Sequence, residues 1–250
     1  MSNENLRPTP RPASRFSARP AGYDGSGQPV ALRSEETRAT FITRTYLHLF
    51  GAMLAFTLLE MAYFTSGLAL PMAQAMLSTS WLLVLGGFVV VSWLATRVAH
   101  VAESPGAQYA ALAGYVIAES IIFVPLLLIA QFAAPGVIQS AAAVTLFGFT
   151  GLTVVVFATR KDFSFLGAIL GWCGVVALLL IVAGAMFGFE LGTFFSVAMI
   201  AVAGGAILHD TSKVLHHYPE DRYVAASLEL FASVALMFWY VLRLYLQSRK

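Results

Sequence analysis

Seven apolar stretches, each close to 20 residues, follow one another from Thr45 onward, at about 45–67, 79–99, 107–131, 136–159, 163–187, 191–212 and 222–246. A helix needs about 20 residues to cross about 30 Å of hydrocarbon, because each residue adds about 1.5 Å. The breaks between the stretches, GLALP, AESPG, AAPG, RKDF, GFE and HHYPED, are short and rich in turn formers or charge. They leave no room for a soluble domain. The expectation is an all-α membrane protein, a single bundle of seven transmembrane helices. Composition agrees, with 58% hydrophobic and 11% charged residues, against roughly 25% charged in soluble domains.

Residues 1–44 hold seven arginines, no lysine and four acids, a net charge of +3. The first 30 contain no apolar run able to repay the entropy of ordering. The pattern predicts a disordered, arginine-rich cytoplasmic tail over 1–40 and a transmembrane domain over 41–250. A cleaved secretory signal needs an apolar core of about 7–15 residues, which the tail lacks, and its acids argue against an organelle transit peptide. The rest of the chain carries eight basic and nine acidic residues, net −1, which excludes a nucleic-acid binder. Cys173, the one cysteine, lies in an apolar run, so disulfide frameworks, zinc knuckles and thiol redox pairs are excluded.

Lys and Arg in short loops stay on the cytoplasmic side. With the tail inside, Arg97, Arg160, Lys161, Lys213 and Arg222 all fall at inside loops, and the outside loops hold neither Lys nor Arg. A prokaryotic inner membrane with a cytoplasmic N-terminus is expected. Seven crossings leave Arg243, Arg249 and Lys250 outside; a final segment that re-enters would bring them back. The stretch 222–246 is long enough to cross, and Trp239, Tyr240 and Tyr245 could anchor it at the outer interface. Gly167 with Gly171, and Gly184 with Gly188, form small-xxx-small steps suited to tight helix packing, and Pro125 predicts a kink in the third span.

Acids inside hydrocarbon are costly unless neutralised or paired, roughly 2.5–3.5 kcal/mol each at mid-helix. Glu60 is expected near the outer interface, reaching water. Glu119, 12 residues into the third span, is about 18 Å deep, near the midplane. Asp210 and Glu229 are predicted at similar depth near the inner face, on adjacent antiparallel helices. Two close carboxyls in low dielectric cannot both ionise cheaply, so such a pair shares a proton or takes up a cation. Ser233, one turn beyond Glu229, extends the polar stripe. The alternative is that Asp210 is a helix-end acid paired with Lys213, three residues on. No metal-ligand spacing of histidines appears.

The stretch AAVTLFGFTGLTVVVFATRKDFSFLGAIL, 142–170, resembles the junction between the fourth and fifth helices of the Bax inhibitor-1 (transmembrane Bax inhibitor motif) family, and ATRKDFSFLG is its most specific piece. FITRTYLHLFGAM at 41–53, AES with Pro125, and ILHDTSKVL at 207–215 resemble the family's first, third and sixth helices in the same order. The resemblance implies the family's seven-helix fold. It also implies a cation leak, chiefly of Ca²⁺ as the transported ion, with pH sensitivity from two facing acids on the last two helices. Asp210 falls on the first acid. The second position falls on Ser233, with Glu229 one turn earlier. Either Glu229 substitutes, as a Ca²⁺ ligand with Asp210, or the acid pair is absent, as in a bacterial branch associated with regulating a membrane-bound protease.

Two functions are therefore expected. One is a pH-sensitive cation leak whose path or sensor uses Asp210, Glu229, Ser233 and Glu119, with Ca²⁺ and the lipid bilayer as partners and no cofactor. The other is a regulatory protein that binds a membrane protease without conducting. An enzyme is not expected, since no Gly-x-Gly-Asp or Gly-x-Ser-Gly stretch supports a protease. The last span lacks the lysine a retinal protein needs.

Overall fold

A computed structural model describes residues 27–133 and 135–248. These form eight α-helices and no strand: α1 (Glu35–Thr65), α2 (Ala69–Ser78), α3 (Trp81–Val101), α4 (Pro105–Ala133), α5 (Val137–Thr159), α6 (Leu166–Phe187), α7 (Thr193–His216) and α8 (Tyr223–Gln247). All but α2 are long and apolar enough to cross a membrane. Helices satisfy every backbone group within the segment, which hydrocarbon demands. The chain is an integral membrane protein with the seven expected spans. The addition is α2, a ten-residue helix inside the break after the first span that packs on α4.

The chain is ordered earlier than the expected end of the tail at residue 40. Ser34 caps α1, its Oγ accepting from the Thr37 N–H at 3.3 Å, and Glu35 and Glu36 complement the helix dipole in the first turn. Before it, Val30–Leu32 form a 3₁₀ turn with Val30 fully buried. The Val30 N–H donates to the Tyr218 carbonyl at 2.8 Å, and Arg33 pairs with Glu220 at 3.4 Å. Residues 1–26 of the expected tail lie outside the described residues.

The last helix is the axis of the bundle: α8 packs against α1, α3, α4, α5 and α7. A run of small residues, Ala225, Ala226 and Ser227, all buried, lets neighbouring helices come close. Trp239 and Tyr240 accordingly do not anchor an interface. Tyr240 is buried edge-on to Phe195 at 5.8 Å, and Trp239 is edge-on to Phe123 at 5.0 Å. By contrast α6 packs chiefly on α7 and exposes Trp172, Leu179 and Phe187. Of its small residues, Gly167 faces the His209 ring, where a Cβ would lie 2.8 Å from Cε1. Gly171 faces open space, and Gly188 ends the helix in the left-handed conformation at φ 74°. Pro125 lies buried within α4, which stays helical through it.

Three loops meet at one end of the bundle. Arg222 donates to the Ala102 carbonyl, joining the α3–α4 loop to the start of α8, and the Phe163 N–H donates to Ser212 Oγ at 2.8 Å, joining the α5–α6 loop to α7. Arg97, Arg160, Lys161, Lys213 and Arg222 all belong to this basic end. At the far end Arg243 donates to the Leu191 carbonyl at 2.7 Å, tying the α6–α7 loop to the last turns of α8.

Candidate functional site

Near the basic end, α3, α7, α8 and the α7–α8 loop bring their polar side chains to one place. Lys213 Nζ donates to Glu229 Oε2 at 2.6 Å, and His100 Nε2 lies 3.0 Å from Glu229 Oε1. Both carboxylate oxygens of Glu229 are thus held by basic groups, from α7 and α3 respectively. The other ring nitrogen of His100 is 2.8 Å from the Thr96 carbonyl. A ring carrying a proton on each nitrogen donates to the Thr96 carbonyl and to the Glu229 carboxylate at once.

Tyr218 closes this cluster from the loop side. Its hydroxyl is 3.2 Å from His100 Nε2, and the Lys213 ammonium sits over its ring at 5.1 Å, a cation–π contact. Burial above all, and the Glu229 carboxylate next, hold the Tyr218 phenol well above its ordinary range, so it keeps its proton and donates to the Glu229 carboxylate. The Val30 strap is bonded to this residue's carbonyl. The segment preceding α1 therefore touches the polar cluster through one residue.

Asp210 sits beside this cluster with a partner of its own. Ser233 Oγ donates to Asp210 Oδ2 at 2.6 Å, and both residues are buried. The expected neighbours Asp210, Glu229 and Ser233 are together, on α7 and α8, but no hydrogen bond joins the two acids. Lys213 serves Glu229 across the helix interface rather than Asp210 three residues before it. Among the described residues no group of three or more His, Cys, Asp or Glu is arranged to hold a metal ion. Calcium takes 6–8 oxygen ligands, and a Ca²⁺ on Glu229 would have to displace both cations.

Glu119 has no hydrogen bond or ion pair to this cluster. It is 5% exposed on α4, with Oε2 buried and unpartnered, and lines a cavity toward the far end. Glu60 does not reach water either: it is 7% exposed, neither carboxylate oxygen has a hydrogen-bond partner, and it lines an apolar cavity with Thr145. Sequence reasoning missed His100 and Tyr218. A histidine at the basic end of the second span was the available signal, since an acid within a span near the same end invites a cation from a neighbouring helix.

The α5–α6 loop, whose sequence carried the most specific resemblance, is bound to the same end of α7. Asp162 accepts from the Ser164 N–H at 2.9 Å and from Ser212 Oγ at 3.1 Å, and lies 2.9 Å from His217 Nε2. The Ser164 amide first, then its hydrogen-bonding neighbours, hold its carboxyl well below the usual carboxylate range.

Comparison with known proteins bears on this architecture. A family model described as "Inhibitor of apoptosis-promoting Bax1" matches residues 38–250, from the first turn of α1 through the end of the chain. "Modulator of FtsH protease YccA" from Escherichia coli K12 is 35% identical over 103 residues, 41% of this chain and 47% of that protein. "Uncharacterized protein PA2604" from Pseudomonas aeruginosa is 33% identical over 113 residues, 44% of this chain and 49% of that protein. The chain spans about half the length of these curated relatives. With seven apolar helices, the ATRKDF loop latched to α7 and Asp210 in its HDT turn, and with the match running unbroken over the bundle, the chain belongs to the Bax inhibitor-1 family.

Proposed function

We propose that this protein is a non-enzymatic regulator of a membrane-bound protease, set in a prokaryotic inner membrane with the end that carries Val30 in the cytoplasm. One observation carries the reading: Glu229, the acid nearest the family's second position, is already held by Lys213 and His100, while Ser233 stands opposite Asp210. A neutralised, hydrogen-bonded cluster is a poor ion path and a good structural anchor for an end that partners touch. The relative named as a modulator of FtsH protease supports the same direction. The test is co-reconstitution with an FtsH-type protease and a membrane substrate. The degradation rate should change at least threefold and the two proteins should co-purify; an unchanged rate without co-purification rejects the proposal.

The second reading is a pH-sensitive cation leak, chiefly of Ca²⁺, and it is favoured by His100, a titratable group in the lock on Glu229. Loss of its proton as pH rises would free one carboxylate oxygen beside Asp210. Ca²⁺ flux into liposomes across pH 5 to 8 tests it. Wild type should then conduct with a pH response, and Ser233→Asp should raise the Ca²⁺ response; no flux from either leaves the regulatory reading alone.

A further inference from the structure

The far half of the bundle holds an open cavity of about 590 Å³, with the buried Glu119 in its wall and Glu190, Arg243 and Gln247 at its mouth. Its walls include the aromatic side chains of Trp81 and Phe88 from α3, Phe123 from α4, and Trp239 and Tyr240 from α8. Ala185, Phe189 and Glu190 line it and are exposed, so it opens at the far end beside the α6–α7 loop. The volume lies within the range of small-molecule sites, roughly 300–1,000 Å³.

The chemistry of the occupant follows from what Glu119 lacks. Its Oε2 is buried without a hydrogen-bond partner, and the residue is 95% withdrawn from the surface, being 5% exposed. A buried polar group left unmade is costly, so an entering ligand that donates to it is favoured over one that does not. A neutral apolar chain would leave the carboxyl as it is. Calcium needs 6–8 oxygens, and among the described residues the only other carboxyl lining the cavity, Glu190, is on the exposed rim loop. Arg243, also at the rim, is turned to the Leu191 carbonyl and lies over the Phe195 ring at 6.0 Å. A buried carboxyl in a cavity lined by aromatic side chains is what an ammonium on an apolar body fits, through a charge-assisted hydrogen bond and apolar or cation–π contact.

We infer that this cavity binds an organic monovalent cation, a primary amine on an apolar body, with the ammonium on Glu119 and the body among Trp81, Phe88, Phe123 and Trp239. The site is independent of the cluster around Glu229 and of any protease partner. It stands whether or not the protein conducts ions.

The test compares 4-phenylbutylamine with 4-phenylbutanol on the full-length protein in lipid nanodiscs, with empty nanodiscs as background for partition. Trp81 and Trp239 line the cavity, so their fluorescence reports occupancy alongside calorimetry. The amine should bind saturably and at least tenfold more tightly than the alcohol. Glu119→Gln should weaken the amine roughly 30-fold, the loss expected when one member of a buried charged pair is removed, and erase its preference over the alcohol. Ala185→Trp, which fills the mouth without touching the charge, should abolish binding of both and keeps the proposal testable if Glu119→Gln does not fold. Equal binding of amine and alcohol, amine affinity unchanged in Glu119→Gln, or binding undiminished in Ala185→Trp would overturn the inference.

Discussion

Glu229 stands between two basic groups, and this makes its neighbours more consequential than the acid itself. Removing Lys213 leaves a mostly buried carboxylate with only His100 and the Tyr218 hydroxyl, and a buried charge that has lost a partner is more costly than a pair removed whole. Lys213→Met should therefore lower stability by about 1–3 kcal/mol, the range for hydrogen bonds to charged groups. The double variant Lys213→Met, Glu229→Leu should lose less than the sum of its parts by about 1 kcal/mol, since the two residues share one contact. Thermal unfolding in detergent measures both, and strict additivity would mean that the 2.6 Å bond contributes nothing. Asp210, Glu229 and Ser233 were legible in the sequence because polar residues in hydrocarbon are conspicuous. The partners of Glu229 were not. Spacing along one helix suggested Asp210 with Lys213, whereas the pairing follows the register between α7 and α8, which no local pattern encodes.

At the scale of elements, the α5–α6 loop shows how a short turn is fixed to a neighbouring helix. Arg160 ends α5 in the left-handed conformation at φ 51°, and Asp162 then accepts from Ser164 and Ser212. Because its folded-state carboxyl titrates below the ordinary value, the ionised form favours the docked loop. That stabilisation is complete above the unfolded value of about 3.9 and is lost as pH falls through the lower folded value. Asp162→Asn should speed amide exchange over residues 160–166 at pH 7, and the difference from wild type should shrink from about pH 4 downward. A difference that stays constant to pH 2 would show that the charge is irrelevant. The next element meets the same end of α7 through Gly167, where a methyl group must push the His209 ring aside. Gly167→Ala should cost about 1–3 kcal/mol, as overpacking does, while Gly171→Ala, facing open space, should change stability by less than about 0.5 kcal/mol. Comparing their melting midpoints separates the two small residues that the sequence presents as one motif.

For the whole molecule, the seven spans were legible because length and hydropathy suffice to recognise them, and the boundaries of α3 to α8 lie close to the expected ones. The arrangement was not, because in lipid an outward face is as apolar as a core face, so burial leaves no contrast to read. Hence α8 could not be distinguished as the axis from α6 at the periphery, and Trp239 and Tyr240 looked like interface anchors. What the sequence does carry at this scale is charge asymmetry. Arg97, Arg160, Lys161, Lys213 and Arg222 share one end, and at the far end the one basic side chain among the described residues, Arg243, is tied to the Leu191 carbonyl. Arg33, Arg38 and Arg44, at the start of the described chain, lie at the same basic end. Lysines and arginines beside the spans resist transfer across the membrane, so eight against one should give a single orientation with the basic end in the cytoplasm. In a Cys173→Ser background, Thr79→Cys, in the exposed break between α2 and α3, should react with an impermeant thiol reagent in intact cells. Lys161→Cys should react only after the cells are opened. The reverse pattern would invert the bundle, and labelling of both in intact cells would mean that the charge bias does not set one topology.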